Sequence, residues 1–353
     1  MIEFDFLPVG EGEHSGDAIA VRFSHPNPLN NDQVVMVVDG GYLASGTKLV
    51  MHINDYYGTN RADLVVSTHP DADHVNGLRV VLESMQVGEL FMHLPWLHSS
   101  EVADAFSEGL DNVKLSAHLR ASLQATGDLA TLASSLSIPI TEPFAGMQRF
   151  DGLLTVLGPS REFYEQLLPA FRGRSATDAL KAALSRAAAK LKHLLESPDY
   201  ETLDDGGETS AENNSSVIML LSVEDHRSLL TADAGMPALQ AAADIMDLLG
   251  ESATPLDFIQ VPHHGSRHNV GPTILNRLLG PPVQADHLTA FVSASKDAPK
   301  HPHPQVTNAF YRRGAPVTPT HGHQICHSNV PLTRVNWGPT TPLPFARVVE
   351  VEE

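Results

Sequence analysis

Thr68-His69-Pro70-Asp71-Ala72-Asp73-His74 follows directly on the apolar run Leu64-Val65-Val66-Ser67, which reads as a strand. The loop carries four candidate metal ligands, His69, Asp71, Asp73 and His74, within six residues. Imidazole together with carboxylate suits Zn²⁺, Mn²⁺ or Fe²⁺, whereas Ca²⁺ takes oxygen ligands almost throughout. The spacing at a strand mouth predicts that His69 and Asp71 point one way and Asp73 and His74 another, so one loop can serve two adjacent ions. Pro and Asp also occur in ordinary loops for turn formation alone. Asp and His recurring at other strand ends set this loop apart.

Val34–Val38 is a continuous apolar run, expected to be a strand covered on both faces, and it ends in Asp39-Gly40-Gly41. Asp39 reads either as a group behind the metal loop or as a turn aspartate before two glycines. Ser216–Val223 and Arg227–Thr231 form a predicted hairpin that delivers Asp233 to a loop. Leu256–Val261 leads into Pro262-His263-His264-Gly265-Ser266, and Ala290–Ala294 into Lys300-His301-Pro302-His303-Pro304. In an α/β sheet, ligands gather at the loops along one edge, so the recurrence weighs more than any single motif. The 19 histidines are concentrated in a few such groups.

The rest of the chain supplies a scaffold. Ile2–Pro8 and Asp17–Phe23 predict a hairpin. Lys48–Tyr57 and Gly77–Met85 predict helices, and Leu90–Leu94 a strand followed by His93 and His98, either of which reaches the first metal or belongs to the core or surface. Between Glu101 and Leu136, Leu115, Leu119, Leu123, Leu129, Leu132 and Leu136 recur at helical spacing, for helices that pack on the core or form a lid. Gly152–Gly158 returns to strand. Glu162–Leu195 reads as helical, with Leu180, Leu184, Leu191 and Leu195 on one face, and acidic Ser197–Ala211 as a mobile loop. Pro237–Leu249, Pro272–Leu279 and Val306–Arg313 predict helices, and the tail is turn-rich.

The 353 residues, 42% of them hydrophobic, are expected to form a single domain over 1–353 with helical insertions at about 99–147 and 160–210. With 23 Lys and Arg against 42 Asp and Glu, the formal charge is −19, which repels polyanions and disfavours duplex DNA as a partner. The lone Cys326 excludes an internal disulfide framework. With no run of about 18 apolar residues and no leader-like start, the expectation is a cytoplasmic protein with no membrane partner.

The succession Asp-Gly-Gly at Asp39, HxDxDH at His69, Thr-Ala-Asp at Asp233, Pro-His-His-Gly-Ser at His263 and His-Pro-His-Pro at His301 resembles the metallo-β-lactamase fold. Within that fold it is similar to the soluble metal-binding domain of the ComEC/Rec2 competence proteins. Val9-Gly10, Gly16-Asp17-Ala18 and Asn213-Asn214-Ser215-Ser216 extend the likeness, which covers about 1–98, 148–158 and 211–325. The resemblance implies an αββα sandwich with metals at the edge of two sheets. It implies that His69 and Asp71 bind one ion, Asp73 and His74 the other, that Asp233 bridges them, and that His263 or His264 completes the ligand set of the second ion. Asp71 stands where the wider fold has a second His, which shifts preference toward Mn²⁺ or Fe²⁺. Asp73 is then expected to orient a water, and His301, with Lys300 and Asn214, to stabilise charge or protonate a leaving oxygen. The implied activity is metal-dependent phosphodiester or nuclease-type hydrolysis of a short, single-stranded or cyclic nucleotide. Two other functions remain open: hydrolysis of an ester, lactone or thioester, and a non-catalytic, metal-stabilised protein that binds a partner through its helical insertions.

Overall fold

A computed structural model describes residues 1–12, 14–25, 33–102, 112–171, 191–252, 254–335 and 337–352. Fourteen strands form two seven-stranded sheets. The first contains β1 (Ile2–Phe6), β2 (Ala18–Ser24), β3 (Gln33–Gly40), β4 (Arg61–Val66), β5 (Gln86–Phe91), β6 (Ile140–Thr141) and β15 (Ile325–Ser328), in the order β15-β1-β2-β3-β4-β5-β6. The second contains β7 (Gln148–Arg149), β8 (Leu154–Gly158), β10 (Ile218–Val223), β11 (His226–Leu230), β12 (Phe258–Gln260), β13 (Thr289–Val292) and β14 (Val317–Pro319), in the order β14-β13-β12-β11-β10-β8-β7. β3 to β6 pair in parallel, as do β11 to β14, and the remaining pairs within these sheets are antiparallel.

Period-two alternation explains the layering. In β3, Val34, Met36 and Val38 face the second sheet, while Val35 and Val37 face helices on the outside. Both faces are apolar because both are covered. Between the sheets, Phe258 stacks on Phe4 at 4.5 Å between ring centroids and meets Phe6 and Phe291 edge-on at 6.0 and 5.4 Å. Outside the first sheet lie the helices Leu43–His52, Leu78–Ser84, Asn112–Ser122, Gln124–Ser135 and Arg161–Leu167. Outside the second lie Met236–Leu248, Pro272–Leu279 and Pro304–Arg312. The fold is therefore the expected αββα sandwich.

The C-terminal ends of the parallel strands in both sheets lie along one edge. There the Val217 N–H, just before β10, donates to the Thr68 carbonyl at 3.0 Å and ties the sheets together. At the same edge Gly77 packs so tightly that a Cβ on it would lie 1.8 Å from the Gly40 carbonyl oxygen. Only glycine allows the segment after the metal loop to approach the Asp39 turn this closely.

Several expectations are corrected. Of Glu162–Leu195, residues 172–190 lie outside the described residues; among the described ones a helix covers Arg161–Leu167, and Leu191–Leu195 is a strand, β9, paired antiparallel with β16 (Val348–Glu352). A partner more than 150 residues away decides that conformation, and periodicity cannot see it; Leu180 and Leu184 lie outside the described residues. Leu115, Leu119, Leu123 and Leu129 are buried against the first sheet, so these helices serve the core. The strand expected over Leu90–Leu94 is instead Gln86–Phe91. The acidic stretch after Ser197 is pinned rather than loose: Glu201 pairs with Arg313 at 3.0 Å, and Asp205 accepts from the Thr273 hydroxyl at 2.6 Å.

Truncating the inter-sheet ring in Phe258→Ala removes its contacts with Phe4, Phe6, Phe291 and His327 at once. The expected cost is about 3–5 kcal/mol, read as a lower urea midpoint with little change in slope.

Candidate metal centre

Strand ends deliver the candidate ligands to the shared edge. His69 and His74 come from the loop after β4, Asp233 from the turn after β11, and His263 and His264 from the turn after β12. One carboxylate oxygen, Asp233 Oδ2, faces four imidazole Nε2 atoms: His74 at 3.4 Å, His263 at 3.6 Å, His69 at 3.7 Å and His264 at 3.8 Å. Asp73 lies with His74 and His264 in a second such group, its nearest ligand atoms within 4.8 Å of theirs. Asp71 sits at the rim, with its side chain 37% exposed and Oδ2 3.8 Å from His69 Nε2.

The outer nitrogens of three of these rings are already committed. Asp39, fully buried, accepts from the Thr68 N–H at 2.9 Å, from the Thr68 hydroxyl at 2.7 Å and from His74 Nδ1 at 2.8 Å. Because the Thr68 hydroxyl gives its proton to Asp39, its lone pair accepts from His69 Nδ1, 3.0 Å away. His264 Nδ1 donates to the Ser293 carbonyl at 2.9 Å. With Nδ1 protonated in each, Nε2 carries a lone pair and points at a carboxylate that is also an acceptor. Among the described residues, the Nε2 atoms of His69, His74 and His264 and the Oδ1 of Asp233 are buried with no hydrogen-bond partner. Lone pairs facing lone pairs repel unless a cation lies among them, so the residues fit a divalent ion of the zinc, manganese or iron kind.

The backbone confirms that these residues are held deliberately. Asp39, Ala232, His263 and His264 all have left-handed backbones, with φ between 46° and 56°. Such conformations cost non-glycine residues roughly 1–3 kcal/mol each and persist where the surroundings over-determine them. Gly265, at φ 80°, is needed for contact: a Cβ there would lie 2.5 Å from Pro302 Cβ, and its carbonyl accepts from the His303 N–H at 2.9 Å. That contact brings the His301 loop to the centre, with the His301 ring 6.4 Å from that of His263.

Electrostatics follow from this crowding. Burial opposes ionisation of Asp233, yet His263, His74 and His264 outweigh it and hold its pKa well below the usual range. Burial disfavours the His74 imidazolium, but Asp233 and Asp39 prevail and raise its pKa well above the ordinary value, so that without an ion a proton on Nε2 takes the cation's place between this ring and Asp233. Burial, aided by His264 and His263, pushes His301 down to about 4, so that ring is neutral at pH 7.

Two of the sequence-derived site residues make no hydrogen bond to the cluster among the described residues. Lys300 is exposed, with no hydrogen bond or ion pair to the cluster among the described residues. Asn214 turns its amide to the Ser210 carbonyl at 3.1 Å, while its neighbour Asn213 touches His263 Nδ1 at 3.3 Å, because the helical turn Ala211–Asn214 separates adjacent side chains. Three groups went unrecognised. Asp17 lies beside His74 and Asp233, accepts from Gln260 Nε2 at 2.8 Å, and leaves Oδ1 buried without a partner among the described residues. Burial raises its pKa, only partly offset by His74 and His264. Asn269 and Gln260 are the others; Gln260 Oε1 accepts from the N–H groups of Thr231 and Ala232, at 3.1 and 3.0 Å, and so shapes the Asp233 turn. The sequence signal for Asp17 was its place in Gly16-Asp17, where a Cβ on residue 16 would strike the Asp73 carbonyl at 2.3 Å.

His93 and His98 do not join the cluster. His98 Nε2 lies 3.0 Å from Glu142 and its Nδ1 2.9 Å from Glu165, while His93 stacks on Tyr164 at 4.4 Å. The pair links the first helical insertion to the helix Arg161–Leu167.

No family model matches the sequence, and no curated protein does. Among solved structures, the chain is similar to a Thermotoga maritima protein described as a metallo-β-lactamase, with 12% identity, a TM-score of 0.36, and 73% of this chain and 94% of that one covered. It is similar to a variant of the β-hydroxylase CmlA at 11% identity and a TM-score of 0.43, over 92% of this chain and 53% of that one. A third is the metallo-β-lactamase SMB-1 bound to 2-mercaptoethanesulfonate, at 8% identity and a TM-score of 0.32, covering 78% and 86%. Likeness at this level carries no argument by itself; the fold and the centre stand on the chain's own strand order and distances.

Burial opposes a charged His98, but its bonds to Glu142 and Glu165 prevail and raise its pKa. A raised histidine pKa contributes stability that is complete below the unfolded value of about 6.5 and is lost as pH rises through the folded one. The stability gap between wild type and His98→Gln, measured by thermal melts, should therefore be largest near pH 5–6 and narrow toward alkaline pH.

Proposed function

We propose that this chain is a metal-dependent hydrolase and that its substrate is a phosphodiester. The observation that carries the first part is the convergence of four imidazole Nε2 atoms on the Asp233 carboxylate at 3.4–3.8 Å. One or two ions would be held by His69, His74, Asp233, His263 and His264, with Asp73 and Asp71 as the carboxylates nearest the rim. A divalent ion held there would lower the pKa of a water to near neutrality and polarise the bond under attack.

The protein groups do the rest. Asp73, grouped with His74 and His264, would accept a hydrogen bond from the attacking water and orient it. His301 is neutral at pH 7, so it serves as a hydrogen-bond partner for the substrate or the departing oxygen rather than as a fixed cation. Asp39 and Thr68 hold His74 and His69 in the tautomers that leave Nε2 free.

The narrower assignment to phosphodiesters rests on the ComEC-like motifs at His69, Asp233, His263 and His301. The formal charge of −19 favours short, single-stranded or cyclic nucleotides over duplex DNA. No helix among the described residues is long and apolar enough to cross a membrane.

The test combines elemental analysis of the purified protein with assays on bis(p-nitrophenyl) phosphate, single-stranded oligonucleotides, cyclic dinucleotides and an aryl ester, with Zn²⁺ or Mn²⁺ added. We expect bound metal and phosphodiester turnover, with turnover reduced by at least about 100-fold in Asp233→Asn. Bound metal with ester turnover alone, abolished in Asp73→Asn, would transfer the protein to the acyl hydrolases. Absence of any bound metal would overturn the whole reading.

A further inference from the structure

We propose that Asn269 makes His263 a metal ligand: it is a positioning residue that fixes the tautomer of that ring and ties it to the backbone of Asp233. The inference rests on the cluster being a metal centre and settles an ambiguity the Pro-His-His motif leaves, since it assigns a ligand role to both imidazoles.

The argument turns on which way one amide faces. Asn269 is fully buried. Its Nδ2 donates to the Asp233 carbonyl at 2.8 Å and lies 3.3 Å from the Ala234 carbonyl. Flipping the amide would set its oxygen against two carbonyl oxygens, so the backbone of residues 233 and 234 dictates its orientation, independently of any histidine. The amide oxygen Oδ1 is thereby directed at His263 Nδ1, 2.8 Å away. An amide oxygen only accepts, so Nδ1 must carry the proton. Nε2, 3.6 Å from Asp233 Oδ2, then keeps its lone pair for a cation.

Asn213 braces the ring from the other side. Its Nδ2 gives one N–H to Thr209 Oγ1 at 2.7 Å and turns the other toward His263 Nδ1 at 3.3 Å, a longer contact than the 2.8 Å to the Asn269 oxygen, which would set acceptor against acceptor if Nδ1 lacked its proton. His263 needs such support more than the others. Its side chain is 31% exposed, against 6% for His264 and none for His69 or His74. Burial and hydrogen bonds together immobilise those three, whereas a partly exposed ring depends on its hydrogen bonds. One amide thus spans two strand ends, β11 through the carbonyl of Asp233 and β12 through the ring of His263, and the two donors move as a unit.

Two measurements test this. Long-range ¹H–¹⁵N NMR of the metal-free protein at alkaline pH reads which ring nitrogen holds the proton. We expect Nδ1–H for His263 in the wild type and a shift toward Nε2–H in Asn269→Leu, which has similar volume and no hydrogen bonds. Zn²⁺ affinity, measured by competition with a chelator, should fall by roughly 10- to 100-fold in the same variant, approaching the loss in His263→Ala. Nε2–H in the wild type overturns the proposal, and so does a folded Asn269→Leu that melts earlier but keeps both tautomer and affinity, the signature of a merely structural residue. The wild-type tautomer needs no variant, so the question is decided even where Asn269→Leu does not fold. A wild type that binds no Zn²⁺ defeats the metal-centre reading, a result distinguishable from failure of the Asn269 assignment.

Discussion

Asp233 Oδ2 faces four imidazole nitrogens whose opposite sides are already bonded, and much of the molecule serves to hold that arrangement. Burying a carboxylate without a counter-charge costs several kcal/mol. Surrounding it with neutral rings, lone pairs inward, is tolerable only if a cation is shared among them. The same constraint explains why the supporting groups are so numerous: Asp39 and Thr68 behind the first pair of rings, the Ser293 carbonyl behind His264, Asn269 behind His263, and Gln260 beneath the turn that presents Asp233. Each removes one rotational or tautomeric alternative.

The edge of the sandwich is where the chain tolerates strain. The left-handed backbones at Asp39, Ala232, His263 and His264 all fall at strand ends, where the hydrogen-bonded ladder stops and a side chain must be turned sharply toward the centre. The sheets beneath supply the rigidity that keeps these turns in place, through a core filled by Phe4, Phe6, Phe258 and Phe291.

Away from the centre, charge is buried as well, and there the structure supplies partners. Glu3 and Asp5 alternate with Ile2, Phe4 and Phe6 along β1, a pattern that reads as a half-exposed strand. Both carboxylates are nonetheless fully buried, because the tail returns across them: Arg334 bonds to both, Arg22 pairs with Glu3 at 2.8 Å, and the Tyr57 hydroxyl donates to Asp5 at 2.7 Å. The Arg334 guanidinium is held over the rings of Tyr56 and Trp337, each at 4.6 Å. Glu196 is similarly enclosed by Arg312 and Asn308. These networks anchor the C-terminal segment and the acidic loop, neither of which has an apolar period of its own.

Local pattern determined most of the scaffold: apolar runs marked the strands, helical spacing marked Leu115 to Leu132, and His or Asp after successive strands marked the loops that meet. Chemistry at short range was legible because strand ends in a parallel sheet share one edge whatever the details. What the tertiary structure alone decided depends on contacts between residues far apart in the chain. β9 is a strand because β16 pairs with it, Glu3 and Asp5 are buried because Arg334 arrives from residue 334, and Asn213 rather than Asn214 faces the centre because one helical turn rotates neighbours by about 100°. The protonation of each ring is likewise set by a partner such as Ser293 or Asn269 that no spacing in the sequence reveals, since a hydrogen bond is made by position in space and not by order along the chain.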